Sequence, residues 1–125
     1  MAGYRLWIVL GGIAGCVAVG MEAAAAHALA SRIGPAALGL IRSADQMLGW
    51  HALALLACGI WAERRGGWLV HAAGFAFVLG ILGFCGGLYA LALSGLRLPG
   101  VPPTGGVLLM LGWLLLAASA LRRGS

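Results

Sequence analysis

Long stretches of the chain carry no charge at all: no charged residue falls between Arg65 and Arg97, or between Arg97 and Arg122. Each stretch is long enough to cross the roughly 30 Å hydrocarbon core of a bilayer, which takes about 20 helical residues. In lipid the backbone must satisfy its own N–H and C=O groups, so only helices and closed barrels span. These runs are continuously apolar rather than alternating, which selects helices. Of the 125 residues, 62% are hydrophobic and 9% charged, against about a quarter charged in a soluble domain. The chain therefore reads as one all-α, polytopic membrane domain over residues 1–125.

Four membrane spans are expected, at about 6–29, 47–62, 68–93 and 105–121, packed as a four-helix bundle. Gly34-Pro35 breaks the chain after the first span, and Pro35 suits the first turn of a new helix. The stretch 36–44 sets Leu38 and Ile41 against Arg42 and Ser43. It predicts a short interfacial helix between spans 1 and 2. Glu63-Arg64-Arg65-Gly66-Gly67 forms a polar turn, and Pro99, Gly100, Pro102 and Pro103 place a loop over 94–104. Two local patterns suggest processing: Ile13-Ala14-Gly15-Cys16 resembles a lipoprotein box and Ala28-Leu29-Ala30 a signal-peptidase site. The segment is nevertheless expected to be retained as the first helix.

Four spans put both termini on one side. That side receives Arg5, Arg64, Arg65, Arg122 and Arg123, and the other receives Arg32, Arg42 and Arg97. The bias predicts cytoplasmic termini. Tyr4, Trp7, Trp61 and Trp68 fall at that interface and Trp50 at the opposite one. The net charge of +5 comes from arginines at span ends, so it marks topology rather than a nucleic-acid partner. Cys16, Cys58 and Cys85 lie within apolar runs, with no CxxC and no zinc spacing. No metal and no cofactor is expected.

Small residues point to helix contacts. Gly12, Cys16, Gly20 and Ala24 recur every fourth residue in the first span, and Gly83 and Gly87 form a GxxxG in the third. Such stripes let backbones approach closely where lipid removes the hydrophobic drive for association. Whether they face each other or a neighbouring subunit stays open.

Four blocks occur in order along the chain: Ala25-Ala26-His27-Ala28-Leu29; Trp50-His51-Ala52-Leu53-Ala54-Leu55-Leu56; Gly87-Leu88-Tyr89-Ala90-Leu91-Ala92-Leu93-Ser94-Gly95; and Gly105-Gly106-Val107-Leu108-Leu109-Met110-Leu111-Gly112-Trp113. Together they resemble the bacterial inner-membrane family called domain of unknown function 423, which includes a mitochondrial relative in animals. The resemblance implies a small four-helix protein of the bacterial inner membrane, and it supplies no catalytic residue.

Glu22 is the outstanding polar group, because a carboxylate in a span is costly and often functional. No cation neighbours it in the sequence. It suits a proton or ligand site, or a hydrogen bond to a neighbouring helix. His27 near the end of the first span and His51 about one turn into the second are expected at similar depth on the non-cytoplasmic side. There they would gather with Glu22, Asp45 and Tyr89 into a candidate polar cluster. Asp45 also suits a helix N-terminus or a partnership with Arg42. His71 is expected to be solvated at the cytoplasmic interface. No nucleophile elbow, phosphate loop or zinc helix is present, so an enzyme is not expected.

Three functional readings follow. The first is a structural or accessory subunit packing against itself or a larger membrane complex, with the lipid bilayer as its surroundings. The second is a proton or small-solute conduit using Glu22, His27 and His51. The third is a haem- or quinone-binding redox subunit using the two histidines.

Overall fold

A computed structural model describes residues 3–122. It holds four helices: α1 (Gly3–Ala26), α2 (Pro35–Arg64), α3 (Trp68–Ser94) and α4 (Val101–Leu121). α1, α3 and α4 are long and apolar enough to cross a membrane. Asp45, Gln46 and His51 lower the hydropathy of α2, which is the longest helix at 30 residues. Arg123, expected to help orient the chain, lies outside the described residues.

The helices pack in chain order, α1 on α2, α2 on α3 and α3 on α4, while α1 and α3 share only a thin edge. α1 and α2 run antiparallel. Tyr4 and Ile8 lie against Gly59, Gly11 against Ala52, and Ala18 beside Gly49. The largest buried side chains, Trp7, Phe77, Ile41 and Leu55, fill the seams.

Three boundaries differ from the sequence reading. α1 ends at Ala26, and 27–34 coil through turns, including an Ile33 N–H bond to Leu29 O. The short interfacial helix is not separate, because 36–44 forms the first turns of α2. Ile41 and Ala44 are fully buried, while Arg42 and Asp45 beside them meet Glu22 of α1 and Tyr89 of α3. α4 starts at Val101 rather than 105. Pro102 and Pro103 sit in its first turn, where a missing N–H costs no helical bond. The connection between α3 and α4 is correspondingly short. Gly95 closes α3 at φ +71°, with its N–H on Leu91 O and the Leu96 N–H reaching back to Ala90 O, a glycine-dependent stop.

The small-residue stripes divide. Gly83 and Gly87 pack against α4 as a close-approach surface, meeting Gly105 and Pro102. On α1 the surface against α2 is Gly11, Gly15 and Ala18, one or two residues removed from the stripe read in the sequence. Gly12, Cys16 and Gly20 are exposed, and no atom lies within 4 Å of a side chain built at Gly12 or Gly20.

A methyl group at Gly105 would collide with the backbone of Gly83 and Phe84, which cannot rotate aside. Gly105→Ala is therefore expected to destabilise the protein by about 1–3 kcal/mol or more. Gly12→Ala should have little effect. Thermal unfolding in mild detergent, followed by circular dichroism, checks the contrast.

Candidate functional site

The polar side chains within the helices form two layers. In the layer toward the end away from the termini, Arg42 of α2 places Nη1 3.3 Å from Oε1 of Glu22 on α1. The contact is an ion pair without hydrogen-bond alignment. Glu22 thus has a cation beside it after all, contributed by the next helix. Three residues on, and nearly one turn round α2, Asp45 is 4% exposed. Its Oδ1 accepts a 2.6 Å hydrogen bond from the Tyr89 hydroxyl of α3. Oδ2 is buried with no hydrogen-bond partner among the described residues. Asp45 does not pair with Arg42 and does not start a helix, since α2 begins at Pro35. Beside this layer an open groove of ≈ 470 Å³ is lined by Ala18, Val19, Glu22, Arg42, Asp45 and Gln46.

In the layer toward the termini, His51 is 2% exposed. Trp113 Nε1 of α4 donates to its Nε2 at 3.0 Å, and its Nδ1 stands 2.6 Å from Met47 O. An indole N–H can only donate, so Nε2 is the acceptor and Nδ1 carries the proton given to Met47 O. The ring also lies against Phe77. A second pair repeats the chemistry: Trp7 Nε1 donates to His71 Nδ1 at 2.9 Å, tying α1 to α3. His71 is thus a partner for a buried indole rather than a solvated interface residue. Trp7 is likewise buried, not an interface anchor. Trp50, expected at the opposite interface, is exposed in the middle of α2.

The two histidines of the expected cluster do not meet. His27 is exposed on the turn after α1. His51 neighbours Ala52, which touches Gly15 of α1, so the histidines stand roughly 18 Å apart along the bundle at 1.5 Å per residue. The depth assigned from sequence failed because α2 begins at Pro35, setting His51 near the helix centre. Both ring nitrogens of His51 are engaged, leaving none for iron or another ligand shared with His27. Among the described residues no three His, Cys, Asp or Glu side chains gather as a metal set. The structure does bring together Glu22, Asp45 and Tyr89, with Arg42 and Gln46. The sequence reading gives the histidines no tryptophan partners, although a buried indole usually finds an acceptor.

Between the layers, Ala18, Leu48 and Cys85 pack as an apolar cluster. The polar groups therefore form two separate sets. Trp113→Phe would leave His51 Nε2 buried without a donor. The expected loss is about 1–3 kcal/mol of stability; unfolding in detergent checks it, with exposed Trp50→Phe as the neutral comparison.

Residues 21–106 match the family described as Protein of unknown function (DUF423). Across 119 residues the chain is 34% identical to the UPF0382 inner membrane protein YgdD of Escherichia coli K12, covering 94% of this chain and 91% of that one. It is 36% identical over 113 residues to a UPF0382 membrane protein of Staphylococcus saprophyticus, covering 90% and 93%. A UPF0382 membrane protein of Staphylococcus epidermidis is 34% identical over 119 residues, covering 94% and 97%. No solved structure matches. The match spans most of the chain, including Glu22, Arg42, Asp45, His51 and Tyr89, and the chain is a membrane protein that belongs to the DUF423 family.

Proposed function

We propose that this protein is a structural subunit of the bacterial inner membrane that crosses it four times, with cytoplasmic termini, and associates with a second copy through α1. The carrying observation is the stripe of Gly12, Cys16, Gly20 and Ala24, of which the first three are exposed and Ala24 is half-buried. The residues of α1 that pack internally are Gly11, Gly15 and Ala18, so this second small-residue face is unused within the chain. A stripe of period four on one helix is complementary to itself across a two-fold axis, as a symmetric dimer requires.

The fourth crossing is supported by α2 itself. At 30 residues it is about 45 Å long, exceeding the hydrocarbon thickness. It lies along both α1 and α3. Cytoplasmic termini are supported by arginine and aromatic groups gathered at that end: Arg65 over Trp61 at 5.4 Å and Arg122 over Trp68 at 5.9 Å, with Arg65 donating to Arg122 O. The inner-membrane location rests on the naming of the Escherichia coli relative.

The conduit reading draws less support, because Ala18, Leu48 and Cys85 separate the carboxylate layer from the histidine layer. The redox reading loses its paired histidine ligands. The subunit reading assigns the protein no catalytic reaction.

Cys16 is exposed within the stripe, while Cys58 and Cys85 are buried. Mild oxidation of native membranes is expected to give a disulfide-linked dimer that disappears in Cys16→Ser and weakens in Gly12→Leu/Gly20→Leu. A monomer alone, or a crosslink indifferent to the leucines, contradicts association through this face.

A further inference from the structure

We propose that the groove between α1 and α2, at the end away from the termini, binds the primary ammonium headgroup of an aminophospholipid, with Asp45 as its buried acceptor. Asp45 is almost wholly buried, yet only one of its carboxyl oxygens has a donor: Tyr89 serves Oδ1, and Oδ2 has none among the described residues. A buried polar atom of this kind calls for a hydrogen-bond donor. Asp45 forms part of the groove wall together with Glu22, Arg42 and Gln46. With all three charged groups ionised, two carboxylates face one guanidinium, so the groove is one positive charge short.

A headgroup joining an ammonium to a phosphodiester matches this arrangement at two points. The ammonium supplies N–H donors to Asp45 Oδ2 and Glu22. Arg42 directs one nitrogen at Glu22 and keeps further N–H donors for a phosphate oxygen. Ala18 and Val19 give the deeper wall an apolar lining for the adjoining lipid. Depth agrees as well: Glu22 lies about one turn, roughly 6 Å, before the end of α1, at the boundary where headgroups meet hydrocarbon. Gln46, exposed in the groove wall, is the side chain that swings aside to admit the N–H to Oδ2, while Arg42 keeps its place beside Glu22. A trimethylated headgroup brings the same charge but no N–H, so the site rejects it.

The test is native mass spectrometry of the full-length protein from mild detergent, offered equal amounts of phosphatidylethanolamine and phosphatidylcholine with identical acyl chains. The expected result is retention of phosphatidylethanolamine with a preference of about tenfold, the worth of one hydrogen bond to a charged group. Asp45→Asn removes the charge but keeps an oxygen for Tyr89, and it is expected to abolish the preference at unchanged helix content. Should that variant fail to fold, Glu22→Gln is read in the same way, with a severalfold reduction expected. Equal retention of the two lipids overturns the proposal, as does an unchanged preference in the variant that folds. Displacement of the bound lipid by millimolar free ethanolamine would make the ligand a soluble amine, and would overturn it too.

Discussion

The ion pair between Arg42 and Glu22 is the contact on which the course of α2 depends. Arg42, Asp45 and Gln46 follow one another within a stretch too polar to enter lipid alone. Arg42 meets a carboxylate on α1, and Asp45 receives a hydroxyl from α3. With those partners the stretch continues as helix from Pro35 to Arg64, packed on α1 and α3. In water such a half-exposed pair is worth at most about 1 kcal/mol. Beside lipid its role is to supply each charge with a neighbour that the surroundings do not offer.

The remaining contacts follow from that placement. A continuous α2 sets His51 near mid-helix, within reach of Trp113, and leaves Gly11 and Gly59 at the crossing with α1. α3 and α4 then approach at Gly80, Gly83 and Gly105, closer than side chains permit. Two indole–imidazole bonds, Trp7 to His71 and Trp113 to His51, join helices that are not consecutive in the chain. Hydrogen bonds and backbone packing thus take the place that hydrophobic burial holds in water.

Much of this is legible in the sequence. Apolar runs bounded by arginines locate four helices, and Glu22, Asp45 and Tyr89 do gather. Helix ends are harder. Pro102 and Pro103 read as breakers, although proline is tolerated in a first turn, and α4 starts there. The stretch 36–44 reads as an interface because the partner of Arg42, Glu22, lies on another helix. A depth error of several turns for His51 follows directly. The α1 stripe shows the same limit: Gly11 and Gly12 are adjacent, and a shift of one residue turns a helix face by about 100°. Only the tertiary contacts decide which of the two faces inward.

Whether α2 crosses the bilayer is read from the sidedness of its two ends. His27→Cys and Glu63→Cys, each placed in a variant lacking the three native cysteines, can be labelled with a membrane-impermeant thiol reagent. With α2 across the bilayer, position 27 is labelled when the reagent reaches only the outer face of the inner membrane, and position 63 only after the membrane is opened. Labelling of both positions from the same side would contradict the crossing.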